Sequence, residues 1–180
     1  MISQKVLNDM KIYSDIEYMP QISKETSVVC FPFFRNGKLI NIKYRTGDKK
    51  FKLFKDAELI LYNIDSIIDS KEVVIVEGEI DCLSYIQVGV NFVVSVPNGA
   101  GTNLTYLDSC IELFENKEKI YLATDNDSKG IGLRDELLRR FGQEKCLIVN
   151  FKDCKDANQY LTTYGGLALK DTIANAIELP

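Results

Sequence analysis

The sequence of 180 residues contains no histidine. That absence excludes Ser-His-Asp and Cys-His catalytic arrangements. The five cysteines, Cys30, Cys82, Cys110, Cys146 and Cys154, are odd in number and include no C-x-x-C pair. With neither histidine nor paired cysteine to ligate it, zinc is not expected. Most of the cysteines sit in apolar runs and read as small buried residues of a reducing compartment. No apolar run approaches the ~18 residues that a membrane helix needs, and the opening MISQKVLNDMKIY lacks the apolar core of a signal peptide. Internal repeats and low-complexity segments are also missing. The expectation is a soluble, cytoplasmic protein of one ordinary domain, or one domain with a small appendage. Its chemistry has to run on carboxylates, lysines, arginines and a hard metal ion.

The net charge of −4 argues against a simple nucleic-acid binder, yet the charge is unevenly spread. Between Arg35 and Lys55 stand eight basic residues and one acid, Asp48, a net of +7 that leaves −11 for the remainder. A basic patch is joined to an acidic body. Residues 5–16 carry Val6, Leu7, Met10, Ile12 and Tyr13 in a loose helical stripe. Residues 27–34, 39–44 and 51–54 then read as strands rich in β-branched and aromatic side chains. Asn36-Gly37 between the first two is a strong hairpin signal, and Thr46-Gly47-Asp48 suggests a similar second turn. In this small antiparallel meander the basic residues alternate with Ile42, Tyr44, Phe51 and Leu53. Alternation is expected to put the charges on one exposed face suited to phosphate.

From residue 67 the pattern becomes β-α alternation. Strands are expected at 73–76, 92–96, 120–123 and 146–151. Helices are expected at 80–88, along Leu104, Leu107, Ile111 and Phe114, along Leu133, Leu137, Leu138 and Phe141, and at 156–164 and 167–177. Strands separated by helices imply right-handed crossovers and a parallel sheet. The chain thus divides into a small basic β subdomain, 1–69, and an α/β domain, 70–180, with a mainly parallel sheet flanked by helices.

The chemistry concentrates at the carboxyl ends of these strands, where open α/β sheets bind ligands. IYLATDNDSKG runs a short buried strand into Asp125 and Asp127. VIVEGEID ends another in Glu77, Glu79 and Asp81, and KDCKDAN follows the last with Asp156. Taken singly, each could be a strand-to-helix turn in which Asp and Asn cap backbone groups. Two acids this close repel unless something positive lies between them, and oxygen-seeking Mg²⁺ is the usual candidate. Three strand ends delivering carboxylates to one edge suggest a metal site. An EF-hand spacing from Asp125 to Glu136 is a decoy, because Lys129 occupies a ligand position and a strand precedes the loop.

VEGEIDCLS, ATDND and KDAN, in that order, resemble the Toprim domain of primases, topoisomerases and related nucleases. The likeness extends over about residues 28–162 and is nearest to the primase half of phage-type, Twinkle-like primase-helicases. There a small basic β-domain precedes the Toprim body, as FPFFRNGKLINIKYR and KKFKLF do here. The resemblance implies DNA primase activity, the template-directed synthesis of RNA primers by metal-dependent nucleotidyl transfer. Mg²⁺ would be the cofactor, with Mn²⁺ able to replace it. By the same carry-over Glu77 is general base or metal ligand, and Glu79 and Asp81 are its acidic neighbours. Asp125 and Asp127 are the metal-binding pair, and Asp156 is the last acid. Lys43, Arg45, Lys50 and Lys52 would meet nucleotide phosphates and template. Implied partners are single-stranded DNA, ribonucleoside triphosphates, a replicative helicase and a zinc-binding module. Neither a zinc module nor a G-x-x-x-x-G-K-[ST] loop is present, so those parts would come from a longer chain or from partners. A Toprim nuclease and a non-catalytic DNA-binding Toprim module stay open as alternatives.

Overall fold

The computed structural model describes residues 1–101 and 103–179. Helix α1 (Gln4–Asp9) starts at Ser3, whose Oγ accepts the Val6 N–H. It stops because Lys11 takes a left-handed φ of 56°. The helical stripe expected to reach residue 16 is therefore cut short, and Tyr13–Met19 form strand β1 instead. These residues pair antiparallel with β2 (Lys24–Arg35), from Tyr13↔Cys30 to Met19↔Lys24, and bury Met19 completely. A backbone ladder plus burial outweighs a loose local periodicity.

Strand β3 (Lys38–Arg45) follows through the two-residue turn Asn36-Gly37, both at positive φ (52° and 71°), as a twist-matched hairpin turn demands. Both turn N–H groups donate to the Asp65 carboxylate, at 2.7 and 2.9 Å. The second turn is longer than Thr46-Gly47-Asp48. Lys49, not Gly47, takes the positive φ, and Thr46 Oγ1 accepts the Lys50 N–H. Strand β4 (Phe51–Leu53) closes the sheet, whose order is β1-β2-β3-β4.

The β3–β4 register corrects the expectation of one exposed basic face. Lys43 pairs with Leu53 and Arg45 with Phe51, while Tyr44 pairs with Lys52. Residues directly opposite share a face, so Lys43 and Arg45 look one way and Lys52 the other. Lys43 is buried, at 7% exposure. The alternation is real, but the register of the turn offsets the two strands by one residue.

The larger sheet has the order β6-β5-β7-β8-β9. Strand β5 (Glu72–Val76) leads into α2 (Glu79–Gln87), β6 (Val93–Ser95), a 3-10 segment at Thr105–Cys110, and the one-turn α3 (Glu112–Glu115). The helix expected through Leu104 and Phe114 is mostly 3-10, since Leu104, Leu107 and Cys110 repeat every three residues and a 3-10 turn stacks that spacing. Then come β7 (Lys119–Ala123), α4 (Ser128–Phe141), β8 (Cys146–Ile148), α5 (Ala157–Tyr164), α6 (Gly166–Ala174) and β9 (Ile177–Glu178). The first four strands of the order are parallel. The last helix ends earlier than expected because Ile177–Glu178 turn back to pair antiparallel with β8.

Val73, Val74, Ile75 and Val76 are fully buried, as a strand covered on both faces requires. Phe31 and Phe33 of β2 join the same core, packing edge-on against Tyr62 with ring centroids 6.4 and 5.1 Å apart. Tyr62 in turn bridges to Ser95 at the end of β6. The small sheet is thus held against the carboxyl end of the larger one. Among the described residues, no helix is long and apolar enough to cross a membrane.

Candidate active site

Strands β5 and β7 are neighbours, with Val76 level with Ala123. Glu77 directly follows β5 and Asp125 lies two residues past β7, so the parallel register delivers both to one sheet edge. Asp127 caps α4, its Oδ1 accepting the N–H groups of Lys129 and Gly130 at 3.0 Å. Its other oxygen, Oδ2, is 3.2 Å from the Lys155 ammonium, which also lies 3.1 Å from Asp125 Oδ2. Asn126, between the two aspartates, fastens the β7 loop to the β8–α5 loop. Its N–H donates to the Lys155 carbonyl (2.7 Å) and its side-chain amide to the Cys154 carbonyl (2.9 Å). Gly130 is forced by a close approach: a Cβ there would collide with the Asp125 carbonyl oxygen.

Electrostatics distinguish the three acids. Burial, then the charges of Asp125 and Asp127, push the half-buried Glu77 up to about 7, against the pull of Lys155 and the Ala100 backbone. Its Oε2 is buried and has no hydrogen-bond partner. Burial also raises Asp125, although Lys155 opposes this. Asp127 is held low, mainly by the Gly130 N–H and also by Lys155. The Lys155 ammonium is raised by its two aspartate partners.

The remaining acids have protein partners. Buried Glu79 accepts from the Lys43 ammonium at 2.8 Å. Asp81 accepts the Asn158 N–H at 2.9 Å, and its burial, reinforced by the charge of Asp156, raises it well above the ordinary aspartate range. Asp156 caps α5 by accepting the Gln159 N–H at 2.7 Å. The six acids therefore do not converge as one ligand set. Among the described residues, no three acidic, cysteine or histidine side chains gather as a metal-holding group. Glu77, Asp125 and Asp127 nevertheless fit a hard cation: all their donors are oxygens, Glu77 Oε2 lacks a partner, and a positive charge already joins the aspartates.

A cavity of about 460 Å³ lies between the two sheets. Glu77, Glu79, Asp81 and Asp125 line one side, and Lys43, Phe51 and Lys52 the other. Lys52 reaches to Glu17 and the Tyr18 carbonyl, both at 2.7 Å. Arg45 and Lys50 do not line the cavity. The Arg45 guanidinium lies 5.9 Å from the Phe51 ring centre, on the same face as Lys43, and Lys50 pairs with Asp48 at 3.2 Å. Lys155, Asn126 and Asn158 are site residues that were not singled out from the sequence, although KDAN and D-N-D contain them. A lysine beside an acid carries no signal of which acid it will meet across 30 residues.

An open α/β sheet with acids at adjacent strand ends, facing a small antiparallel sheet, defines a class, and comparison with known proteins agrees. Residues 74–161 match the family model described as Toprim-like. The "Primase homolog protein" of Arabidopsis thaliana is 35% identical over 173 residues, covering 85% of this chain and 51% of the relative. "Twinkle homolog protein, chloroplastic/mitochondrial" from the same plant is 34% identical over 173 residues, covering 85% of this chain and 24% of the relative. The solved primase fragment of the bacteriophage T7 primase-helicase superposes with a TM-score of 0.78 at 23% identity, over 96% of this chain and 71% of that one. Residues 74–161 therefore form a Toprim-like domain. The fold is that of the primase fragment of phage-type primase-helicases. The chain spans about half the length of the first of these curated relatives and about a quarter of the second.

Proposed function

We propose that this chain is the primer-synthesising core of a primase-helicase-type protein. It joins ribonucleoside triphosphates into RNA primers on a single-stranded DNA template by metal-dependent nucleotidyl transfer. One observation carries this reading: Glu77 and Asp125 line a cavity at one sheet edge, Asp127 is joined to Asp125 through Lys155, and Lys43 of the small sheet stands across that cavity. Both signs of charge are needed, because a triphosphate must touch cations while its reacting phosphorus lies near the acids. We keep the division into a basic subdomain, 1–69, and a catalytic domain, 70–180, as part of this proposal.

Toprim primases as a family are divalent-metal dependent. Glu77, Asp125 and Asp127 would hold Mg²⁺ here, or Mn²⁺ in its place, which when bound offsets the charge that develops on phosphate oxygens. Glu77 is assigned to take a proton from an attacking 3′-hydroxyl, because its Oε2 has no hydrogen-bond partner in the protein. Asp127 combines ligation with capping α4, which fixes its orientation. Arg45, on the face of β3 that carries Lys43, is assigned to triphosphate and template backbone, whereas the Lys43 ammonium is engaged by Glu79 and that of Lys52 by Glu17 on the opposite face. Lys50 is assigned to the rim. A replicative helicase and a zinc-binding module would be supplied by a longer chain or by partners.

The test is primer synthesis on single-stranded DNA with Mg²⁺ or Mn²⁺, beside a nuclease assay on the same template. Asp125→Asn and Asp127→Asn should each lower primer synthesis at least about 100-fold. The amide introduced by Asp127→Asn should still cap α4, so the melting of that variant should change little, since Asn and Asp rank together at such a position. Template cleavage without synthesis would favour a nuclease. Full metal-dependent activity in either variant would remove that aspartate from the catalytic site, and no divalent-ion binding by wild type with nucleotide and template present would leave a non-catalytic module.

A further inference from the structure

We infer that Lys155 is a built-in stand-in for the divalent cation: its ammonium keeps Asp125 and Asp127 assembled and charge-balanced, and it must leave them before a metal ion can join the pair. This rests on the nucleotidyl-transfer reading of the same site.

Three observations support it. The first is which oxygens the ammonium occupies. Asp127 Oδ1 is committed to the N–H groups of Lys129 and Gly130, so Oδ2 is the oxygen left for a cation. Lys155 Nζ sits 3.2 Å from that oxygen and 3.1 Å from Asp125 Oδ2. One ammonium thus spans the two carboxylates as a bridging ion would.

The second observation is that the backbone of Lys155 is tied down on both sides while its side chain lies more than half in solvent. Its N–H donates to Gln159 Oε1 and its carbonyl accepts from the Asn126 N–H, both at 2.7 Å. The side chain is 54% exposed, against 11% for Asp125. Rotation about side-chain bonds is enough to withdraw the ammonium, and the loop that carries it need not move. The cost of withdrawal is then the lost ion pairing alone.

The third observation is the surrounding charge. Asp125 faces Asp127 and Asp156, and Glu77 faces both members of the pair. Lys155 is the cation in contact with both aspartates among the described residues. Without it the acids would repel, and the D-x-D loop would splay or take up protons. Lys155 therefore has two opposed effects on metal. It preforms the site, and it competes for it.

Competition predicts a gain of affinity on removal, which a purely structural role does not. Mn²⁺ binding, followed by the loss of the free-ion electron paramagnetic resonance signal without nucleotide, should be about 5- to 10-fold tighter in Lys155→Met than in wild type. The metal-free variant should melt below wild type, and saturating Mn²⁺ should close most of that gap. Lys155→Arg keeps the charge and should bind Mn²⁺ no tighter than wild type. If wild type binds Mn²⁺ and makes primers while Lys155→Met binds Mn²⁺ equally or more weakly, the stand-in role is overturned and the primase reading stands. If wild type binds no Mn²⁺ even with template and nucleotide, the primase reading fails and this inference fails with it.

Discussion

Lys43 of β3 and Glu79 at the start of α2 form a buried ion pair, 2.8 Å apart, that joins the small basic sheet to the Toprim body. Their side chains are 9% and 4% exposed. The pair forms part of the cavity wall directly beside Glu77. It links the two walls of the cleft into which a triphosphate would fit.

Removing either partner should strand the other charge in a dry contact. Lys43→Met and Glu79→Leu should each cost about 3 kcal/mol or more, while the double change should cost less than either single one. Urea denaturation of the three variants checks this. Single costs under about 1 kcal/mol, as for exposed pairs, would mean that the contact is wetter than the burial indicates.

Gly130 and Gly132 lie on the same helix but face different surroundings. A Cβ at Gly130 would overlap the Asp125 backbone, whereas one at Gly132 would meet nothing within 4 Å. Gly130→Ala should destabilise by about 2–3 kcal/mol or displace Asp125 and weaken Mn²⁺ binding. Gly132→Ala should stabilise by about 0.5–1 kcal/mol through helix propensity. Thermal melts with and without Mn²⁺ separate the two, and equal behaviour would remove the close approach as an explanation.

Glu77 should make stability depend on pH. Its carboxyl holds a proton more tightly in the folded protein, up to about 7, than at the ordinary 4.5 of the unfolded chain. The resulting stabilisation is fully present below about pH 4.5 and is lost as pH rises through about 7. Measured in chelator, Glu77→Gln should gain on wild type across that window, by roughly 1–2 kcal/mol after discounting for solvent screening. A difference that is flat from pH 4.5 to 7.5 would show that folding leaves the proton affinity of Glu77 unchanged.

Much of the site was legible because its parts are local. A run such as Val73–Val76 is buried whatever surrounds it, and an acid directly after it must emerge at the strand end. D-N-D announced both a helix cap and a carboxylate pair, and Asp127 serves as the cap in the structure. Asn36-Gly37 specified its hairpin through backbone sterics alone. The basic meander was legible only in part. Counting charges found the patch, but the one-residue offset between β3 and β4 decides which lysines turn inward.

Strand periods, turn residues and the order of the acidic motifs depend on neighbours within a few positions. The α/β body, the small antiparallel sheet and the edge at which Glu77, Asp125 and Asp127 emerge could therefore be read from the chain alone. Pairings between distant segments depend on how layers pack, and they became visible once the chain was folded. Packing converted Tyr13–Met19 from a helical stripe to a strand, sent Lys43 to Glu79, and brought Lys155 between two aspartates some 30 positions earlier. A charged side chain is indifferent among acids until burial and geometry remove the alternatives.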